Sequence, residues 1–175
     1  SRSEEISVVR LRGAGGNFTS GSDVANFRGT LDSNAPPVRL MKALLHCEKP
    51  VIAEIDGYAI GIGATILLLS DLVYASDRAS IRFPFVNLGL VPEAGSSLLL
   101  PLLAGHQIAS ELFLLGESID ARRAAQIGLV NEVHPIESLE KRVLDVCARL
   151  GNQPPIAVRA TKRMLHRSMA EPISD

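Results

Sequence analysis

The sequence predicts an α/β domain with a parallel sheet, because short apolar runs alternate with helical patterns along the chain. Residues 6–12 (ISVVRLR) and 50–56 (PVIAEID) have the length and the β-branched content of buried strands. Between them, apolar residues in 36–48 recur with the spacing of one helix face. Strands that alternate with helices favour a parallel sheet joined by right-handed crossovers.

The remaining elements continue this alternation. Glycines and serines make 13–23 a predicted loop, and 57–70 begins as a glycine-rich turn and continues as an apolar helix. Gly116 and Gly128 close two of the later helices. We predict strands over 72–76, 79–85 and 129–135, and helices over 92–105, 106–116, 120–128, 137–150 and 154–168.

Composition and charge exclude several classes of protein. The 175 residues are 46% hydrophobic and 21% charged, which is ordinary for one globular domain (1–175), here a core over 6–135 and a helical part over 136–175. A net charge of -1 gives no reason to expect nucleic acid or an anionic membrane as partner. The longest apolar run, 59–69, is too short to span a bilayer. We also expect a protein that is not secreted, since its two cysteines lie far apart.

Two glycine loops follow predicted strands and raise the question of a bound anion. Gly13 and Gly15 are followed by Phe18, and Gly61 and Gly63 by Ile66, so neither loop completes the dinucleotide fingerprint. Neither loop contains a Walker lysine. Two interpretations stay open from spacing alone: an oxyanion hole made of backbone amides from both loops, or two ordinary tight turns.

Other common chemistries find little support. The four histidines stand singly and without ligand spacing, so we expect no metal site. The motif GxSxG of serine hydrolases is absent, because Gly21 and Ser22 are followed by Asp23 and no closing glycine.

Glu93 is the acid whose surroundings call for an explanation. It lies in 89–97 (GLVPEAGSS), among glycines, a proline and small residues. An acid after a proline suits the first turn of a helix. The alternative is a buried carboxylate held for proton transfer.

Four segments together resemble the crotonase superfamily, the family of enoyl-CoA hydratases and isomerases. The resemblance implies a spiral of ββα turns, with the N-terminal strand pair and the C-terminal helices of the family absent from this sequence. It also implies an acyl-CoA thioester as substrate, no cofactor beyond the CoA of that substrate, and association into trimers or hexamers. The expected compartment is the cytoplasm in a bacterium, or the peroxisome or mitochondrion in a eukaryote. The segments are 17–27 (NFTSGSDVANF), 49–76 (KPVIAEIDGYAIGIGATILLLSDLVYAS), 88–105 (LGLVPEAGSSLLLPLLAG) and 121–133 (ARRAAQIGLVNEV).

The same resemblance assigns site residues. The backbone N–H groups of Ser22 and Ile62 would stabilise the enolate oxygen of the thioester. Glu93 resembles the base of the peroxisomal-type Δ3,Δ2-enoyl-CoA isomerases, and Leu90, Val91 and Phe85 are expected to desolvate it and raise its pKa. The residues implied to line the substrate site are Ser20, Gly21, Asp23, Val24, Gly61 and Phe85.

The sequence departs from the hydratases of this family at two positions. Thr65 and Phe85 stand where those enzymes carry their two glutamates. A double-bond shift needs one base, whereas water addition uses two groups, so the pattern favours an isomerase with Glu93 as its base. Three alternatives stay open: hydration or another crotonase-type reaction, a non-catalytic CoA-binding or interaction module, and Asp23 as the base.

Overall fold

The computed structural model describes residues 5–21 and 35–170, with side chains described up to residue 166. It is a mixed α/β structure with most helices close to their predicted places. The strands are β1 (Val9–Arg12), β2 (Val51–Ile55), β3 (Tyr58–Ile60), β4 (Leu72–Ser76), β5 (Ser80–Arg82), β6 (Ser118–Asp120) and β7 (Glu132–His134). The helices are α1 (Pro36–Leu45), α2 (Ile62–Leu68), α3 (Ser96–Ala104), α4 (His106–Leu115), α5 (Ala121–Gln126), α6 (Ile136–Gly151) and α7 (Pro155–Ala170), with a 3-10 turn at Val86–Leu88.

The described strands form two sheets, and the chain passes repeatedly from one to the other. The first sheet has the strand order β1-β2-β4-β7, and all of its neighbouring strands are parallel. The second has the order β3-β5-β6, with β3 parallel to β5 and β6 antiparallel to it. Each of β2 and β4 is followed by a strand of the second sheet and then by helical structure. This alternation is the predicted spiral of ββα turns.

Two strands of the second sheet were not predicted from the sequence. The prediction treated β3 as part of a glycine-rich turn, and it had no strand at β6. Both have three residues, and they gain their order from partners distant in sequence: Ala59 pairs with Ile81, and Ile81 with Ile119. Because these partners are distant in the sequence, the local pattern around β3 and β6 gave no strand signal.

The start of α3 also differs from the prediction. The helix begins at Ser96 and not at Pro92, so Glu93 lies in the turn before the helix. Gly95, the residue before the helix, is left-handed (φ 68°), and Ala94 has a φ of 53°. Two successive residues with positive φ cannot belong to a right-handed helix. The simple explanation of Glu93 as a first-turn helix residue is therefore wrong.

The described core consists of three apolar clusters, and two of them meet at the strand–turn–helix segment around Gly61. The largest lies between the two sheets and α2 to α5, with Phe83 completely buried at its centre. The second joins α1, α2 and α3 and includes Ile62 and Leu99. The third packs α6 against the outer face of β2 and β4. Phe18 contacts both the first and the second cluster, so the loop after β1 is held at their junction.

A buried charge network attaches α7 to the first sheet. Lys162 is 6% exposed, and its Nζ donates to a carboxylate oxygen of Asp71 (2.6 Å) and to the Lys49 carbonyl (2.7 Å). The same carboxylate accepts from the Val51 N–H (2.7 Å), and its other oxygen lies 3.0 Å from the His166 ring. Burial raises the pKa of Asp71, but these hydrogen bonds and the Lys162 charge outweigh it and hold the pKa below its ordinary value.

We expect Asp71→Asn to lower the free energy of unfolding by about 3–5 kcal/mol at pH 7, because it leaves the Lys162 charge buried without its counter-ion. Because the folded-state pKa of Asp71 is depressed, its contribution is present above the unfolded-state pKa and is lost as the pH falls below about 4. The variant should therefore lose less stability than the wild type on acidification. Urea unfolding at pH 7 and pH 3.5 checks both expectations. Arg163→Met, an exposed change on the same helix, is the control.

Candidate active site

The turn between β3 and α2 presents an unpaired backbone N–H group. Gly61 has φ 59° and ψ −119°, a conformation that glycine adopts readily and other residues rarely adopt. Its N–H donates to the Arg82 carbonyl (3.0 Å). Ile62 is the first residue of α2, so its N–H has no carbonyl one turn earlier in the helix. Among the described residues this N–H donates no hydrogen bond. A Cβ added to Gly61 would meet no atom within 4 Å, so the space beside the turn is open.

The loop after β1 lies directly against this turn. Thr19 donates its N–H to the Tyr58 carbonyl (2.8 Å) and accepts from the Ile60 N–H (3.0 Å). A Cβ on Gly63 would collide with the Thr19 side chain, so the close approach requires glycine in the first turn of α2. A Cβ on Gly21 would lie 3.0 Å from the Ile60 carbonyl oxygen. The two predicted oxyanion loops are therefore neighbours.

The structure describes only some of the residues of this loop that were predicted to belong to the site. Ser20 and Gly21 are described: Ser20 is exposed, and Gly21 has a φ of 97°. Ser22, Asp23 and Val24 lie outside the described residues. The Ser22 N–H as second oxyanion donor, and the roles of Asp23 and Val24, stay predictions.

Glu93 lies at the first position of a tight turn that is held in an unusual conformation. The Ser96 N–H donates to the Glu93 carbonyl (2.9 Å), and the two residues between them have positive φ, as in a type I′ turn. A left-handed alanine such as Ala94 costs about 1–2 kcal/mol. Ala94 packs against the cluster that contains the Ile62 side chain. The turn that carries the acid and the helix start that carries the open amide thus rest on one apolar cluster.

The electrostatic environment of Glu93 is set by burial. Its side chain is half-buried, and desolvation raises the pKa of its carboxyl group. The expected direction is confirmed, but the expected surroundings are only partly correct. Leu90 is partly buried, whereas the Val91 side chain is 80% exposed. Phe85 is 5% exposed and packs 6.3 Å from the Phe113 ring, so its role in substrate binding stays a prediction.

The two positions at which the resemblance places the glutamates of the hydratases, Thr65 and Phe85, carry no ionisable group at neutral pH. Thr65 is completely buried, and its hydroxyl donates to the Gly61 carbonyl at 3.3 Å. Phe85 belongs to the aromatic core. Neither side chain can accept a proton from a substrate at neutral pH. Of the three positions, Glu93 alone offers a base.

Other features of the described residues do not include Glu93 or Ile62. No three of their histidine, cysteine and acidic side chains are grouped as metal ligands, and none of their helices has the length and apolar content to cross a membrane. A cavity of about 460 Å³ lies beside the loop after β1, and Arg12, Glu54 and Glu140 are among the residues that line it. Another of about 800 Å³ lies between the end of α1 and α7. Neither is lined by Glu93 or Ile62.

Comparison with known proteins identifies the family and the fold. A family model described as enoyl-CoA hydratase/isomerase matches residues 1–174. The chain belongs to the enoyl-CoA hydratase/isomerase family. This confirms the resemblance to the crotonase superfamily. A solved enoyl-CoA hydratase/isomerase from Pseudoalteromonas atlantica T6c superposes with a TM-score of 0.92 at 38% identity, covering 99% of this chain and 70% of that one. The crotonase-like fold is thereby confirmed.

The relatives of this family member differ in the reactions they are named for. Enoyl-CoA delta isomerase 2 of Rattus norvegicus is 34% identical over 176 residues, which cover 96% of this chain and 45% of the rat protein. The 2,3-dehydroadipyl-CoA hydratase of Escherichia coli K12 is 34% identical over 168 residues, covering 93% of this chain and 65% of that enzyme. The chain thus spans about half to two thirds of the length of these relatives.

Sequence reasoning missed two residues that build the site in this family member. Thr19 supplies the contacts that place the first loop on the second, and Arg82 holds the Gly61 N–H with its carbonyl. The hydrogen bonds that place the two loops are made by backbone atoms of both residues, which accept or donate whatever the side chain is, so residue type gave no signal for them. The strand predicted over 79–85 could have suggested the contact of Arg82 with the glycine turn, but no signal in the sequence could have suggested the contact of Thr19.

We expect Glu93→Gln to change stability in a pH-dependent way. Because burial raises the folded-state pKa of Glu93, ionising this carboxyl group destabilises the fold as the pH rises through that value. The glutamine cannot ionise, so the variant should gain stability relative to the wild type between pH 4 and pH 7. Urea unfolding at both pH values measures the gain. The exposed Glu117→Gln should show none, and a loss of stability at pH 7 in Glu93→Gln would contradict the expectation.

Proposed function

We propose that this protein is an enoyl-CoA isomerase that shifts the double bond of a 3-enoyl-CoA ester to give the 2-trans-enoyl-CoA ester. The observation that carries the proposal is the half-buried carboxyl group of Glu93, whose pKa is raised and whose neighbour Ala94 packs on the same apolar cluster as Ile62, the residue with the open N–H. The absence of ionisable groups at Thr65 and Phe85 supports it. The rat isomerase relative agrees with it.

The reaction follows from one base and one oxyanion donor. The thioester oxygen accepts a hydrogen bond from the Ile62 N–H, and from the Ser22 N–H if the predicted second donor is present. Glu93 removes a proton from C2, which breaks a C2–H bond and spreads the electron pair over the dienolate. The same carboxylic acid returns the proton to C4, so the double bond moves from C3–C4 to C2–C3. Loss of one oxyanion donor typically lowers the rate about 10²–10³-fold.

The raised pKa of Glu93 suits both halves of this cycle. A carboxylate whose ordinary pKa is low is a weak base, and desolvation strengthens it. The protonated form is then a weaker acid, but the dienolate is basic enough at C4 to take the proton back. A group that both removes and returns one proton works best when its pKa is moved toward the working pH.

Hydration is the second candidate, because the Escherichia coli relative is a hydratase. Addition of water needs one group to activate the water and another to protonate the α-carbon. The Thr65 hydroxyl is buried and already donates to Gly61, so it cannot activate water. A non-catalytic CoA-binding module is the third candidate, but a desolvated acid would then serve no purpose.

Glu93→Gln should abolish isomerisation while leaving CoA-ester binding intact, because glutamine keeps the size of the side chain and cannot take a proton. We expect kcat with 3-enoyl-CoA esters to fall by about 10⁴ or more, the upper end for a positioned general base. Thr65→Ala and Phe85→Leu should have much smaller effects on chemistry. The assay follows product formation from 3-enoyl-CoA esters of several chain lengths, with 2-enoyl-CoA hydration run in parallel.

Two outcomes would count against this mechanism. Near-normal turnover by Glu93→Gln would exclude the single-base mechanism and make Asp23 the next candidate. Hydration that is faster than isomerisation in the wild type would favour the hydratase.

We also propose that the protein associates into trimers or pairs of trimers, as the family resemblance implies. The helices α3 and α4 contact each other and leave several leucines exposed, and large exposed apolar patches mark interfaces. The exposed set is Leu102, Leu103, Leu114 and Leu115.

Leu114→Glu should shift the full-length protein toward a smaller assembly, because Leu114 is 66% exposed in the isolated chain and a charge would be buried at the interface. Size-exclusion chromatography with light scattering measures the mass. Leu144→Glu, an exposed leucine on α6, is the matched control. A stable monomer for the wild type would contradict the proposal.

A further inference from the structure

The C-terminal end of α4 contacts two residues, Arg82 and Asn87, that lie close to parts of the candidate site. Gly116 follows the helix in the left-handed conformation, with a φ of 61°. Its carbonyl oxygen accepts a hydrogen bond from Arg82 Nε at 2.5 Å. The neighbouring Leu115 carbonyl accepts from Asn87 Nδ2 at 3.1 Å. The carbonyls of Leu115 and Gly116 have no partner inside the helix, and both thus accept a hydrogen bond from a side chain outside it.

Arg82 connects this helix end to the oxyanion turn. It lies on the central strand of the second sheet, β5, opposite Ile60 on one side and Ser118 on the other. Its carbonyl accepts the Gly61 N–H, and its partly buried guanidinium group donates to Gly116. A positive charge is also favourable beside the negative end of a helix dipole. One residue therefore holds the turn with its backbone and the helix with its side chain.

Asn87 connects the same helix end to the segment that leads to Glu93. It lies in the 3-10 turn, six residues before Glu93, and is itself exposed. Its contact with the helix end is close: a Cβ on Gly116 would collide with Asn87 Oδ1. The left-handed φ and this contact both require glycine at position 116.

We propose that Arg82 and Asn87 are positioning residues, which set the distance between the Glu93 carboxylate and the Ile62 N–H by anchoring both segments to the end of α4. This inference rests on the proposed function of Glu93 and Ile62. A misplacement of about 1 Å between reacting groups can cost about 10²-fold in rate. An anchor shared by both segments prevents such a displacement, because neither segment can move independently of the helix end.

A purely structural role makes a different prediction. If the two side chains only cap α4, their loss lowers stability and leaves the chemistry of the folded protein unchanged. A positioning role lowers kcat in the folded protein, while KM and the Kd of a CoA ester stay nearly constant, because a positioning residue acts on the reacting groups and does not itself bind the substrate.

The test compares Arg82→Leu, Arg82→Lys and Asn87→Ala in the full-length protein. We expect Arg82→Leu and Asn87→Ala to lower kcat about 10–100-fold with KM changed less than about threefold. Arg82→Lys, which retains a cationic donor, should recover at least part of the loss. Arg123→Leu, an exposed change on α5, is the matched control. Asn87→Ala changes an exposed side chain and keeps the test usable if Arg82→Leu fails to fold.

Hydrogen–deuterium exchange supplies a readout that does not depend on the reaction. Arg82→Leu should speed amide exchange in 60–65 and in 89–96, and Asn87→Ala in 89–96, beyond any change at the helix end. Faster exchange confined to 112–117, or kcat equal to that of the wild type in folded variants, would overturn the proposal. A wild type that does not isomerise 3-enoyl-CoA esters would refute the proposed function, and the exchange data would then decide on the anchor alone.

Discussion

The site depends on one close contact: the loop after β1 lies against the strand–turn–helix segment from Tyr58 to Gly63. Thr19 makes two backbone hydrogen bonds to β3, and its side chain occupies the space that a Cβ on Gly63 would need. This contact holds β3 in place although the strand has three residues. It also brings Gly21 beside the carbonyl of Ile60. This carbonyl lies next to the Gly61 turn, after which the Ile62 N–H has no hydrogen-bond partner in its own helix. A larger residue at position 63 would push the two loops apart. It would therefore also separate the two predicted oxyanion donors, the N–H groups of Ser22 and Ile62.

The proposed base, Glu93, is held by features that oppose stability. Glu93 is desolvated with no compensating charge among the described residues, and the adjacent Ala94 is in a left-handed conformation. Both cost free energy that the apolar cluster around Ile62 and Leu99 has to offset. Strain and desolvation at one point of the chain are typical of a functional site, since a sequence selected for stability alone would avoid them.

The sequence predicts the helices and the first sheet well, because these elements are long or strongly apolar. It also predicts Glu93 as the unusual acid from its small and apolar neighbours. It does not predict β3 or β6, whose partners are distant, nor the start of α3 at Ser96. The turn at Glu93 could not be foreseen, because alanine at position 94 gives no sign of a positive φ. Contacts made by backbone atoms, as at Thr19 and Arg82, are also invisible in residue types.

The central claim is that one carboxylate serves both C2 and C4 of a substrate whose thioester oxygen lies on the Ile62 amide. The most direct measurement is a crystal structure of the full-length protein with acetoacetyl-CoA, whose enolate form resembles the dienolate. We expect a Glu93 carboxylate oxygen within about 3.5 Å of both C2 and C4, the separation of groups poised to react. The thioester oxygen should accept a hydrogen bond from the Ile62 N–H. A complex in which Glu93 points away from these carbons, or in which another acid faces C2, would contradict the account.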